Sequence, residues 1–191
     1  MSFLLPFDDT APGARRTFLG KSGLLLSGAA VALLAGQDAL AAKGGQSSAE
    51  DVRILNSALG AEHEAIAAYQ VGAESGLLQK PVLDLAVTFQ GHHREHADIL
   101  AKTIARLGGK AASAKDKYTF PVDTLKTQND VLRFAAGLEK GAVSAYLGAV
   151  PLFGNRDLAK AAASILGDEA MHWAILRNAL GEVPVPSAFM S

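Results

Sequence analysis

The 191-residue chain contains no cysteine. That absence excludes a disulfide framework, a thiolate nucleophile, a zinc ribbon and a cysteine-held iron–sulfur cluster. Charge is scarce too: charged residues make up 19% of the chain and the net charge is −1. No basic field points to nucleic acid. No Gly-x-Ser-x-Gly occurs, and Gly20-Lys21-Ser22 lacks the glycine-rich run of a phosphate loop. Apolar residues nevertheless reach 49%, too many for a disordered chain. The length allows one domain plus a tail. Any metal must be held by His, Asp or Glu.

The N-terminal segment has an order of its own. Arg15-Arg16-Thr17-Phe18-Leu19-Gly20-Lys21 precedes residues 24–36, an uncharged stretch of 13 residues, and Ala39-Leu40-Ala41-Ala42 follows. A twin arginine, a moderate apolar run and an A-x-A site resemble a twin-arginine export signal. The apolar run is shorter than the ~20 residues that span a bilayer. The expectation is a signal peptide over 1–41, cleaved after Ala41, and a periplasmic or otherwise exported product with no stable membrane insertion of the mature chain. An uncleaved membrane anchor is the competing reading. Removing 1–41 takes away Arg15, Arg16 and Lys21 together with Asp8, Asp9 and Asp38, so the net charge stays at −1.

Four helical patterns follow. The first begins near Ser48, with Ser47 or Ser48 as cap, and carries Leu55, Leu59, Glu62, Ile66, Tyr69 and Ala73 on one stripe before stopping near Ser75-Gly76. The second starts at Pro81 and carries Leu85 or Ala86, Phe89, His93, His96, Leu100, Ile104 and Leu107, stopping at Gly108-Gly109. The third starts after Thr127 or Asn129 and carries Leu132, Ala135, Glu139, Ala142, Tyr146 and Ala149, with Pro151 at its end. The fourth runs from about Asp157 to Leu180 with Leu158, Ala162, Ile165, Glu169, His172, Leu176 and Leu180. No segment alternates with period two for long, so no sheet is expected. Short connections make helices 1–2 and 3–4 hairpins. The 110–128 connection is long and polar. Its 19 residues reach roughly 60 Å when extended, more than the ~38 Å of a 25-residue helix. It can cross the bundle and leave helices 2 and 3 parallel.

The polar residues on the inner stripes carry the chemistry. Buried Glu and His are costly unless paired or metal-bound. Each helix contributes at least one: Glu62, then His93 and His96, then Glu139, then Glu169 and His172. The two i, i+3 pairs put both side chains of each pair on one face. An internal repeat relates Ala61-Glu62-His63 through Tyr69 to Leu138-Glu139-Lys140 through Tyr146. It also relates the segment His93 to Leu100 to the segment Glu169 to Leu176. Tyr69 and Tyr146 read as hydrogen-bond donors to the ligands or as plain core residues. His63, Glu64 and His92 read as bundle-edge or solvent residues.

With these motifs over residues 50–182 the chain resembles the ferritin-like superfamily, closest to exported bacterial ferritin-like domain proteins. The carrying motifs are Ala61-Glu62-His63 leading to Tyr69, the His92-to-His96 cluster, Leu138-Glu139 leading to Ala145-Tyr146-Leu147-Gly148-Ala149, and Asp168-Glu169-Ala170-Met171-His172. The resemblance implies an all-α four-helix bundle, two hairpins joined by a long crossover, over 42–182, with a tail over 183–191. It implies iron or manganese, one or two ions, with Glu62 and Glu139 as terminal ligands, Glu169 as a bridge, and His96 and His172 one per metal. His93 departs from the pattern, because it stands where the family has a second bridging Glu. A neutral imidazole binds one metal, so an asymmetric pair, a single ion or a His-rich site are all compatible. The implied role is metal-dependent redox chemistry or metal handling, with metal ions and O2 or peroxide as partners. A metal-free bundle whose Glu and His satisfy one another is the alternative.

Overall fold

The computed structural model describes residues 45–190. The expected signal over 1–41 lies outside the described residues. Four helices run Gly45–Glu74 (α1), Lys80–Arg106 (α2), Gln128–Ala149 (α3) and Arg156–Ala179 (α4), and there is no strand among the described residues. The second, third and fourth helix starts fall within a residue or two of the sequence expectation. The first does not. Helix α1 already contains Ser47 and Ser48, so neither marks its boundary.

The boundaries follow from local chemistry. Pro81 sits in the first turn of α2, where no intrahelical partner for its missing N–H is needed. Thr127 caps α3: its side chain accepts from the Asp130 amide, and the Asp130 carboxylate accepts from the Thr127 amide, closing a capping box. Asn155 caps α4 without a reciprocal partner, its side chain accepting from the amides of Asp157 and Leu158. Helices α2 and α4 end alike. Gly108 at φ 76° and Gly181 at φ 75° take the left-handed conformation. The amides beyond then turn back, Gly109 to the Ile104 carbonyl and Glu182 to the Arg177 carbonyl.

Helix α1 packs along α2 and α3 along α4, while α1 and α3 share a smaller seam. The connector decides how the hairpins are joined. At one end Asn56 donates to the Lys110 carbonyl and accepts from the Ala112 amide. His63 reaches the Ala112 carbonyl further along α1. At the other end the Gln79 amide, just before α2, donates to the Gln128 side chain at the start of α3. The connector therefore travels the length of α1, and α2 and α3 run parallel. The 54-residue spacing of Asn56 and Lys110 is what the return of α2 along α1 produces.

The core has two apolar layers. Leu55, Leu59, Leu100, Ile104, Phe153, Leu158 and Ile165 form one. Ala86, Phe89, Leu132, Ala136 and Leu176 form the other. On α3 the buried face differs slightly from expectation: Val143 is fully buried and Ala142 only partly. Helix α3 is rotated so that its smaller residues line the α1 seam. Asp51, near the start of α1, is buried and accepts from the Gly154 and Asn155 amides, tying the α3–α4 turn to the other hairpin. No helix among the described residues is long and apolar enough to cross a membrane.

Candidate metal centre

Between the two apolar layers lie the six polar residues singled out from the sequence. Glu62, His93, Glu139, Glu169 and His172 are each at most 2% exposed. The His96 side chain is 14% exposed. One helical stripe from each of four helices therefore delivers carboxylates and imidazoles to a single depth.

The two tyrosines settle their own role. Tyr146 Oη donates to Glu62 Oε1 at 2.6 Å, and Tyr69 Oη donates to Glu139 Oε1. Each tyrosine thus serves the glutamate of the other hairpin. Both are buried, so they are core residues and hydrogen-bond donors at once. Burial, reinforced by the neighbouring carboxylates, holds both phenols well above their ordinary range, so they remain donors.

His93 lies between the two terminal glutamates. Its Nδ1 donates to Glu62 Oε2 at 2.8 Å and its Nε2 to Glu139 Oε1 at 3.3 Å. Burial alone opposes a charged ring, but the hydrogen bonds to Glu139 and Glu62 outweigh it and raise the pKa to about 11. The same balance, burial outweighed by carboxylate partners, raises His96 to about 10 and His172 to about 9. Glu62 would be pushed up by burial, yet its His93 and His96 partners bring it down to about 2. Glu139 is likewise held low against burial, by His172 and His93. Glu169 goes the other way. Burial drives it up more than His172 and His96 draw it down, and the adjoining Glu139 adds to the rise.

The pairing is incomplete. His96 Nδ1 is 3.1 Å from Glu169 Oε1, and His172 Nδ1 is 3.4 Å from Glu169 Oε2. Neither contact is aligned as a hydrogen bond. His96 Nδ1, His172 Nδ1, Glu139 Oε2 and both Glu169 oxygens are buried without a hydrogen-bond partner. A buried unpaired polar atom costs about 1–3 kcal/mol. The same residues form two overlapping sets whose donor atoms lie within 4.8 Å of one another: Glu62, His93, His96 and Glu169, and His93, Glu139, Glu169 and His172. Nitrogen and carboxylate donors in this mixture suit a divalent transition metal.

Asp168 was visible in the sequence only as part of a family motif. Its Oδ2 lies 3.3 Å from His172 Nε2, 3.5 Å from His96 Nε2 and 3.1 Å from His92 Nδ1. An acidic residue four before an inward His shares its helix face, and that spacing was the available signal. His92, expected at the edge, is half-buried there. His63 is half-buried against the connector and Glu64 is exposed.

A family model described as Ferritin-like domain matches residues 50–182. Among curated proteins none matches the chain. Solved structures share the fold, among them the following two. A conserved hypothetical protein from Mycobacterium tuberculosis aligns with a TM-score of 0.65 at 24% identity, over 75% of this chain and 99% of its own. A ferritin-like, diiron-carboxylate protein from Bacillus anthracis str. Ames aligns with a TM-score of 0.62 at 20% identity, over 72% of this chain and 99% of its own.

Proposed function

The chain belongs to the ferritin-like domain family, and from that premise we propose that its buried Glu/His cluster is a metal centre for redox chemistry or metal handling. The observation that carries this reading is the set of five orphaned donor atoms on His96, His172, Glu139 and Glu169, buried where the carboxylates and imidazoles converge. Such atoms fit a cation better than they fit one another. Glu62, His96 and Glu169 would hold one ion, and Glu139, Glu169 and His172 a second. His93 belongs to both sets but, once an ion displaces its extra proton, would give its lone pair to only one. The centre is therefore asymmetric. Iron or manganese bound there supplies one-electron chemistry toward O2 or peroxide.

The chain's own residues do the rest. Tyr146 and Tyr69 orient the terminal glutamates by donating to one oxygen of each. Asp168 lies against the outer nitrogens of His96 and His172, which leaves their Nδ1 atoms facing inward. A groove of about 660 Å³ between α1 and α3 opens onto Glu62, His93 and Glu139. Half of its lining residues are Ala or Gly and three are Glu, so a small uncharged oxidant enters more readily than an anion.

One observation favours the metal-free alternative: His93 already pairs with both terminal glutamates. Thermal unfolding with and without Fe(II) or Mn(II) separates the two. A ligand present at ~100 times its Kd stabilises the native state by about 2.7 kcal/mol, several degrees in Tm. Glu169→Ala should abolish that gain. An unchanged wild-type Tm with either metal, matched by Glu169→Ala, leaves a structural Glu–His network and no metal chemistry.

Export is part of the proposal, supported by Arg15-Arg16 and the Ala39-Leu40-Ala41 site. Arg15→Lys with Arg16→Lys should retain the full-length chain in the cytoplasm of cells that otherwise export a shortened one. Equal fractionation of both forms rejects the signal.

A further inference from the structure

Outside the six-residue cluster, and not used by it as a ligand, His92 faces the same region from the surface side. We propose that His92, Asp168 and His172 form a second, outer site for one divalent transition-metal cation. His92 Nδ1 lies 2.9 Å from His172 Nε2 and 3.1 Å from Asp168 Oδ2. His172 Nε2 lies 3.3 Å from the same carboxylate oxygen. One donor atom from each residue falls within 4.8 Å of the others. Two imidazole nitrogens and one carboxylate oxygen, with open positions left for water, suit the Fe(II)-to-Zn(II) series better than Mg(II) or Ca(II).

Exposure grades through the site. The His92 side chain is 40% exposed, Asp168 23% and His172 2%. A hydrated ion can therefore meet His92 and Asp168 first and shed water as it approaches His172. The ring of Phe89 stacks on His172 at 4.0 Å and fixes its plane. Within that plane its contacts with Asp168 and His92 keep Nε2 turned outward, which leaves Nδ1 turned into the core, where it lacks a partner.

This arrangement has a chemical consequence. A neutral imidazole has one lone pair, because its other nitrogen carries hydrogen. His172 ligates outward or inward, and not both at once. An ion in the outer site and one on the inner face of His172 therefore compete. The outer site is a waiting position: once the outer ion leaves Nε2, that nitrogen takes a proton from solvent beside Asp168, and Nδ1 gives its own proton to the Glu169 carboxylate 3.4 Å away, freeing its lone pair for the inner ion. The hand-over rests on the metal-centre reading above. The outer site itself does not.

Co(II) reports both sites by its absorption and can be counted by equilibrium dialysis. In a Glu62→Gln/Glu139→Gln protein the inner centre is crippled and the outer site is uncontested. That protein should bind one Co(II), and adding His92→Ala should weaken it by about tenfold or more, the scale that loss of even an indirect ligand partner commands. No Co(II) bound, or binding indifferent to His92→Ala, overturns the outer site. In the otherwise unaltered protein His92→Ala removes a half-exposed side chain and none of the proposed inner ligands. There it should slow Co(II) uptake while leaving the final Co(II) count at the inner centre unchanged. Uptake at the wild-type rate overturns the hand-over. A wild-type protein with a single, His92-dependent Co(II) would keep the outer site and reject the inner metal centre. His92-independent binding in the wild type alone would do the reverse.

Discussion

His93 stands where a bridging carboxylate is expected, and it brings a charge of the opposite sign. Clamped between Glu62 and Glu139, its ring keeps a proton up to about pH 11. His96 and His172 keep theirs to about 10 and 9. An unfolded histidine titrates near 6.5. Groups whose folded pKa is raised stabilise the fold fully below the unfolded value and lose that contribution as pH rises through the folded one. The metal-free protein should therefore lose stability steadily between about pH 6.5 and 11, with the His172 contribution the first to be exhausted, near pH 9. On the acid side the Glu62 contribution is present above about pH 4.5 and is lost as pH falls toward 2. A cation must displace the histidine protons, so metal binding should release protons and tighten over the same alkaline range. Tm against pH for metal-free and metal-loaded protein checks both slopes. A metal-free Tm that is flat from pH 7 to 10 would show that the rings are neutral.

At the scale of the helices, glycine does two different jobs. Gly108 and Gly181 supply the left-handed turns that end α2 and α4. Gly109, just beyond, is held for space. A Cβ there would lie 2.6 Å from Val52 Cγ1 and 3.0 Å from Ile104 Cγ2. The connector can begin its run along α1 only because that atom is missing. Gly109→Ala should destabilise by about 1–3 kcal/mol, the usual range for overpacking. Gly141 is the contrast, since a Cβ there meets nothing within 4 Å. Gly141→Ala should stabilise α3 by about 0.5–1 kcal/mol through propensity alone. Chemical denaturation of the two variants reads opposite signs. Equal effects would mean that the close approach to Val52 is relieved by side-chain rotation.

Across the whole molecule, the polar centre joins the two hairpins between the two apolar layers that they also share. Each hairpin packs extensively within itself, while α1 and α3 meet along a thinner seam that contains the groove. The crossed tyrosine bonds, Tyr69 to Glu139 and Tyr146 to Glu62, span that seam. They leave an open wall of small residues above them. Ala145→Leu would extend into the groove without touching a proposed ligand. Metal content should stay unchanged and reaction of the reduced, metal-loaded protein with O2 should slow. Stopped-flow oxidation together with metal analysis tests this. An unchanged rate at full metal content would show that the oxidant enters by another route.

Much of this was legible in the sequence, because helices write their buried faces at spacings of three and four. Leu158, Ala162, Ile165, Glu169, His172 and Leu176 all fall on the buried face of α4 as their periodicity predicts. The caps at Thr127 and the glycine stops were equally local. The six polar residues stood out because Glu and His on apolar stripes break the pattern, and a broken pattern at matching depth needs a common cause. What the sequence could not decide was which atoms meet. It left the tyrosines between two roles, placed His92 at the edge and gave Asp168 no part. Those outcomes depend on how the two hairpins are rotated about each other, a relation made only by contacts such as Tyr146 to Glu62 and Tyr69 to Glu139, 84 and 70 residues apart in the chain. The proposed export signal rests on the sequence alone, outside the described residues. The exchange of tyrosines between halves and the inward Nδ1 atoms of His96 and His172 were decided by tertiary packing, because only side chains from different helices can fix which face of a ring looks inward.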